Sequence, residues 1–160
     1  MLARTMLLVA TLALGGCAAT APAQDDARPD IDAVLDDFHA AAAQADGDRY
    51  LAHFTENGVF FGTDPAERWT VEQFEPYVRS AFDRGGWTYV PRERTVFLAD
   101  DGATAWFDEM LDGSTGVVAR GTGVLVRRDE TWKVAQYNFS VPFPNALWDT
   151  INAMIRAEGD

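Results

Sequence analysis

Polar side chains recur on one face of the last β-strand that the sequence predicts. Successive strand residues point to opposite faces of a sheet. One face of this strand carries, in order, Trp132, Val134, Gln136, Asn138 and Ser140. Lys133 lies on the other face and should be solvated, so we expect the Trp132 face to point inward. Polar groups that converge in a concavity are typical of a ligand site. We therefore predict that Gln136, Asn138 and Ser140 bind a ligand; the alternative is that they satisfy backbone groups of loops or helix ends.

Two other predicted strands carry charged side chains. Arg120 and Arg127 lie on opposite faces of the same predicted strand. If Arg127 is solvated, then Arg120 points inward, where it needs a partner. Asp108 and Glu109 are adjacent, so one of them must face inward, and the sequence does not decide which. We prefer Asp108 because it shares a face with Trp106. The pair is either a structural ion pair, or a site in which arginine binds an anion and a carboxylate with a raised pKa acts as base.

The loop from Gly62 to Trp69 carries a second set of candidates. Asp64 precedes Pro65, and aspartate at such a position readily forms an Asx turn. That use is structural, and a binding role for Asp64 is the alternative. Trp69 is expected to lie over the cavity or to belong to the core.

The residue counts bear on metal and cofactor sites. The chain has one cysteine and two histidines, His39 and His53, which leaves little for a zinc site. Neither the spacing of a calcium loop nor a phosphate-binding glycine loop is present. We therefore expect no metal and no cofactor. Both histidines are expected to be satisfied core or edge residues, although either is an alternative base.

The charge balance limits the partners. The sequence contains 25 acidic against 13 basic residues, a formal net charge of -12. A surface of this sign repels phosphate backbones, so we expect no nucleic-acid partner. Attachment to anionic lipid by charge alone is equally disfavoured.

The first residues resemble an export signal. An apolar run from Met6 to Leu14 is too short to span a bilayer and ends in Leu14-Gly15-Gly16-Cys17, which resembles a lipobox. We predict a signal peptide over residues 1–16, lipidation of Cys17, and a flexible tether over residues 17–29. Ala18 after the cysteine points to an outer-membrane lipoprotein facing the periplasm, held by its lipid anchor only. An ordinary signal peptide cut near Ala21 or Ala23 is the alternative.

The remaining residues, 30–157, pattern as one α+β domain. Helical spacing begins after Asp30, a short second helix spans about 49–54, and Thr70 with Gln73 indicates a capping box at the start of a third helix. Strand patterns then cover Trp87–Leu98, Ala103–Leu111, Val117–Arg127 and Thr131–Val141, before a last helix that starts at Pro144-Asn145. Glycines 121 and 123 inside a strand suggest bending or close backbone approach.

Three segments together carry a family resemblance. They are FGTDPAERW from Phe61, RGTG from Arg120 and WKVAQYNFSVP from Trp132. In this order they resemble SnoaL-like domains of the nuclear-transport-factor-2-like superfamily, over roughly residues 30–149. The resemblance implies a cone-shaped, strongly curved antiparallel sheet around the N-terminal helices, a pocket at the wide end, and frequent homodimers through the sheet. Relatives often carry two histidines where this chain has Gln136 and Asn138, neither of which titrates.

The family hosts both enzymes and binding modules, so fold alone does not settle function. We expect an exported domain that binds a small, partly polar ligand in the cone pocket. The first alternative is a cofactor-free isomerase, dehydratase or hydrolase, with Asp108 or a histidine as base and Arg120 or Asn138 stabilising developing charge. The second is a dimeric interaction module of the cell envelope.

Overall fold

A computed structural model describes residues 24–158 of the chain. The predicted signal peptide and the predicted lipidation site, Cys17, lie outside these residues. Within them, no helix is both long and apolar enough to cross a bilayer.

Helices and one sheet make up an α+β fold, as the sequence predicts. The helices are α1 (Gln24–Ala43), α2 (Gly47–Ala52), α3 (Val71–Asp83) and α4 (Trp148–Glu158), the last preceded by a 3₁₀ turn (Asn145–Leu147). The strands are β1 (Phe54–Phe61), β2 (Arg68–Thr70), β3 (Tyr89–Leu98), β4 (Thr104–Gly113), β5 (Val118–Arg128) and β6 (Thr131–Ser140). They form one sheet in the order β2-β1-β6-β5-β4-β3, antiparallel except where β1 runs parallel to β6.

Helix α1 begins at Gln24, so the predicted start of the helix after Asp30 is wrong. The segment before Asp30, which was assigned to the tether, is helical and includes Pro29. The buried stripe of α1 also starts earlier, at Ala27, and continues at helical spacing. Its fully buried members after Ala27 are Ile31, Leu35, Phe38, Ala41 and Ala42.

The start of α3 follows from its capping box, which is confirmed. The Thr70 hydroxyl accepts from the Gln73 amide at 3.3 Å, and the Gln73 side chain accepts from the Thr70 amide at 3.0 Å. Phe74, Val78 and Phe82 form the buried face of the helix. Pro76 lies within the helix, which begins at Val71.

Strand β1 begins at Phe54, because the short helix before it ends at Ala52 rather than near Phe54 as predicted. The carbonyl of His53 accepts from the Val134 amide at 2.8 Å, and Phe54 then pairs with Val134 on β6. Parallel pairing with β6 thus competes successfully with the helical continuation.

A register shift in β6 reverses its faces. Leu125 on β5 pairs with Val134, but the next pair is Val124 with Gln136, so Ala135 is an extra residue on β6. Such a bulge moves every following side chain to the opposite face. Trp132 and Val134 are buried as predicted, but beyond the bulge Tyr137 is the buried residue and Gln136 is exposed.

Glycines in β5 bring the sheet close to its own buried side chains. Gly121 pairs with Glu109 on β4 and Gly123 with Phe107. A Cβ atom at Gly121 would overlap the Tyr137 hydroxyl and lie 2.9 Å from a Glu109 carboxylate oxygen. At Gly123 it would lie 2.7 Å from the Phe107 ring. The predicted close approach is confirmed, and it leaves room for a buried carboxylate.

Candidate functional site

A cavity of about 210 Å³ lies between the helices and the buried face of the sheet. It is large enough for several water molecules or one small ring compound. Its walls come from α1, α2, the β1–β2 segment, α3, the turn before β3, and the inner faces of β3, β4 and β6. The lining residues are Phe38, His39, Tyr50, Phe60, Gly62, Thr63, Glu67, Trp69, Tyr77, Trp87, Tyr89, Leu111, Tyr137 and Phe139. All four tyrosines of the chain are among them.

A histidine and a glutamate are paired at this cavity. His39, on α1, follows Phe38 in the buried stripe and is 8% exposed, while Glu109, on β4, is 1% exposed. The His39 Nε2 atom lies 2.7 Å from the Glu109 Oε1 atom. The sheet can hold the carboxylate here because Gly121, its cross-strand partner, has no side chain.

Two further side chains donate to Glu109. Arg94, on β3, donates from Nε to Oε2 at 2.9 Å, and the Tyr137 hydroxyl donates to Oε1 at 3.1 Å. Arg94 also donates from Nη1 to Asp36 at 2.8 Å and to Asp32 at 3.3 Å, both on α1. Its Nη2 atom is buried and has no hydrogen-bond partner within residues 24–158. The carboxylate is therefore paired with a cation that α1 also holds.

These contacts keep Glu109 ionised. Burial by itself would raise the pKa of its carboxyl group. The hydrogen bond of His39, its charge when the imidazole is protonated, and the charge of Arg94 outweigh that effect, and the pKa of Glu109 lies below its usual value. Burial, followed by the charge of Glu109, raises the pKa of Tyr137 well above the ordinary value, so Tyr137 remains a neutral donor.

The ionised carboxylate determines what His39 can do. Because an ionised Glu109 only accepts hydrogen bonds, Nε2 of His39 must carry the proton that it shares with Oε1. In neutral His39 the other nitrogen, Nδ1, then has a free lone pair. Nδ1 has no hydrogen-bond partner in the described part of the chain. The pair is thus a histidine oriented by a carboxylate, an arrangement that serves general acid–base chemistry.

Most of the residues predicted to form the site lie on the outer face of the sheet, away from the cavity. The expected inward orientation is wrong for Asp108, Trp106, Arg120, Gln136, Asn138 and Ser140. For Gln136, Asn138 and Ser140 the cause is the bulge at Ala135. Arg120 pairs with Ser140 and is exposed, whereas Arg127, the residue expected to be solvated, shares the inner face with buried Trp132.

The choice between the two acidic residues of β4 also changes. Phe107, Glu109 and Leu111 are buried, so Glu109 and not Asp108 faces inward. Trp106 is 46% exposed and stacks on Phe97 of β3, with ring centroids 5.5 Å apart. A large aromatic side chain was therefore no guide to the buried face of this strand.

The two candidate residues of the loop have different positions, since Trp69 lines the cavity and Asp64 does not. The Asp64 side chain accepts from the Ala66 amide at 2.7 Å, which is the predicted Asx turn, and it does not line the cavity. Trp69 lines the cavity, in contact with Tyr77. Glu67 also lines it.

Sequence reasoning treated His39 and Glu109 only as alternatives. A signal for His39 was present, since it directly follows a residue of the apolar stripe of α1. Its partner on β4 is 70 positions away in the sequence, and no local pattern joins the two.

His53 is held elsewhere, between Asp37 at 3.0 Å and the Arg49 carbonyl at 2.7 Å. Among residues 24–158, no three histidine, cysteine, aspartate or glutamate side chains are grouped so that they could hold a metal ion.

Replacing Glu109 by glutamine tests the buried pair. Arg94 would then be buried opposite a neutral amide, and we expect the free energy of unfolding at neutral pH to fall by about 3–5 kcal/mol. Because the pKa of Glu109 is lowered, its ionised carboxylate stabilises the fold at pH values above 4.5, the usual pKa of a glutamate. This stabilisation is lost as the pH falls below 4.5. Urea unfolding across this range should show a weaker pH dependence for Glu109→Gln than for the unmodified protein. The exposed Glu93→Gln change is the control, and identical pH dependence in all three proteins would contradict the prediction.

Comparison with known proteins agrees with this architecture. The family model for the SnoaL-like domain matches residues 31–144. No curated protein matches the sequence. An NTF2-like protein of unknown function from Pseudomonas putida KT2440 is similar with a TM-score of 0.65 and 18% identity, over 76% of this chain and 90% of that one. A proposed dehydratase of the NTF2-like family from Streptomyces avermitilis gives 0.63 and 12%, over 76% and 100%.

A third similar structure has a higher sequence identity to this chain than these two. It is a proposed calcium/calmodulin-dependent protein kinase II association domain from Xanthomonas campestris, with a TM-score of 0.56 and 27% identity, over 72% of this chain and 86% of that one. The match of the family model extends from the buried part of α1 to the end of the sheet. The chain belongs to the SnoaL-like domain family.

Proposed function

We propose that this domain binds a small ring-bearing ligand in the cavity and transfers a proton on it without a cofactor, with His39 as the base. The observation that carries the proposal is the 2.7 Å pair between His39 Nε2 and Glu109 Oε1 at the cavity wall. It replaces the expectation that Asp108 is the base and Arg120 the partner.

The surroundings of His39 suit a base that becomes charged during a reaction. When Nδ1 takes a proton, the imidazolium that forms is stabilised by the ionised carboxylate beside it. Arg94 keeps that carboxylate ionised, and α1 and β4 hold both partners in place. His39 is therefore oriented before a ligand binds, which is where such pairs gain most of their effect.

A donor for developing negative charge is also present. Tyr50, on α2, lines the cavity, and burial raises the pKa of its hydroxyl well above the ordinary value. The hydroxyl makes no hydrogen bond to another side chain within the described residues. A neutral phenol can stabilise an enolate or alkoxide oxygen by donating a hydrogen bond to it. Base and donor together suffice for proton abstraction next to a carbonyl or for loss of water.

The similar structures support the same class of reaction only by analogy. The protein from Streptomyces avermitilis is named as a proposed dehydratase, and one from Novosphingobium aromaticivorans as a proposed scytalone dehydratase. Both are below 25% identical to this chain, so they support the fold assignment and not a particular reaction. The support for proton transfer comes from the His39–Glu109 geometry.

The two histidines provide a matched test. With 1-indanone in D₂O as a probe, we expect the protein to accelerate exchange of the protons next to the carbonyl. His39→Gln should reduce that acceleration by about 10²-fold or more, since a positioned base contributes about 10²–10⁴-fold. Exchange is measured by NMR, and folding is checked by circular dichroism.

The control is His53→Gln, because His53 is held outside the cavity and its loss should leave the exchange rate unchanged. Exchange equal to that of buffer alone, or full activity in His39→Gln, would contradict the role of His39. Ligand binding with no exchange would leave a binding module without chemistry.

A second function, self-association, is favoured by the outer face of the sheet. Phe97 and Trp106 stack there and are 40% and 46% exposed, and Val124 pairs with Trp106 beside them. We define these three residues as the outer patch. An apolar group of this kind on a sheet face is typical of protein contacts, and we propose that it forms a homodimer.

Light scattering after size-exclusion chromatography tests the homodimer. We expect the unmodified protein to elute as a dimer and Trp106→Arg as a monomer, because a charge placed in a closed apolar interface is left without a partner. The control is Met154→Arg on α4, an exposed apolar position that is not part of the outer patch. A monomeric unmodified protein, or a dimer that Trp106→Arg leaves intact, would contradict this proposal.

A further inference from the structure

The cavity is lined by aromatic rings and by one kind of charge. Nine of its fourteen lining residues are phenylalanine, tyrosine or tryptophan. No lysine or arginine is among them, and Glu67 is the lining carboxylate. Aromatic faces carry a negative potential and attract cations, tryptophan and tyrosine strongly so. The site therefore offers negative potential from both its rings and its charge.

The rings of strongest cation affinity are contiguous. Trp69 lies 5.2 Å from Tyr77, and Tyr77 lies 6.2 Å from Trp87, with interplanar angles of 34° and 37°. A second pair, Tyr89 and Phe139, is in contact at 4.9 Å. All five rings line the cavity, so their surfaces form much of its wall. Since Trp69 lies in β2 just before α3 and Trp87 lies in the turn that follows it, the position of the wall depends on that helix.

The Glu67 carboxylate is held in place by the loop that carries it. Its Oε2 atom accepts from the Asp64 amide at 3.2 Å, and the Glu67 carbonyl accepts from the Gly62 amide at 2.9 Å. A Cβ atom at Gly62 would overlap this carboxylate, so glycine leaves the space that Glu67 fills. No arginine or lysine pairs with Glu67 in the described part of the chain. Its charge is therefore available to a ligand.

Other charges near the cavity do not change this balance. Arg94 is turned away into its pairs with Glu109, Asp36 and Asp32. The chain has a formal net charge of -12, which raises the local concentration of cations and repels anions. A ligand whose own charge is negative would meet no lysine or arginine on the cavity wall.

We infer that the ligand is an organic cation, a small ring compound with a tertiary or quaternary amine that lies against Trp69, Tyr77 and Trp87 with Glu67 as its counter-ion. This inference rests on the proposed function only in using the same cavity as a ligand site. It names the chemical class that the cavity selects, and it does not require His39 to be a base.

Two probes of equal shape separate charge from shape. They are 4-hydroxyphenyltrimethylammonium and its uncharged carbon analogue, 4-tert-butylphenol, titrated into the purified protein by calorimetry. We expect the cation to bind about tenfold more tightly, because the faces of the aromatic rings attract a cation and do not attract its uncharged analogue in this way. Glu67→Gln should weaken binding of the cation by several fold and leave 4-tert-butylphenol unchanged. Glu56→Gln, exposed on β1 and not lining the cavity, is the matched control.

Each outcome distinguishes the inference from the proposed function. If 4-tert-butylphenol binds as tightly as the cation, or if Glu67→Gln weakens both probes equally, selection of a cation is overturned while the exchange assay on His39 is unaffected. If neither probe binds, the cation inference is overturned and so is the use of this cavity for small rings. Cation selectivity together with full exchange activity in His39→Gln would uphold the inference and overturn the proposed chemistry.

Discussion

Glu109 is a carboxylate buried under the sheet, and three elements of the fold meet in order to hold it. Arg94 reaches it from β3, Tyr137 from β6 and His39 from α1. Arg94 also binds Asp32 and Asp36, so the same ion cluster ties α1 to the sheet. An unpaired buried charge costs several kcal/mol, and this arrangement is stable only if all partners are present. The position of α1 and the ionisation of Glu109 are therefore coupled.

The same cluster gives the cavity its chemistry. The wall above it is aromatic, and its polar side chains are few: one oriented histidine, the tyrosine hydroxyls, Thr63 and the Glu67 carboxylate. A group held by structural ion pairs does not need to reorganise when a ligand binds. Stability and the proposed reactivity thus draw on one set of contacts. Substitutions in the cluster are therefore expected to affect both.

The fold was largely predictable because its signals are local. The capping box of α3 needs only Thr70 and Gln73, and the run of strands after it follows from alternation and turn residues. The site was not predictable in this way. The bulge at Ala135 exchanges the two faces of the last strand, and nothing in the sequence around it indicates an extra residue. On β4, Asp108 and Glu109 are adjacent carboxylates. Which of them is buried depends on Arg94 and His39, which contact Glu109 from other elements of the fold.

The most direct test of the account is the protonation of His39, read by nitrogen-15 NMR of histidine-labelled protein, with His53→Gln used to assign the two imidazoles. The account predicts that neutral His39 carries its proton on Nε2, hydrogen-bonded to Glu109, with Nδ1 unprotonated. It also predicts that Glu109→Gln removes this preference. A proton on Nδ1 in the unmodified protein, or a mixture of both tautomers, would contradict the central claim that Glu109 orients His39 as a base.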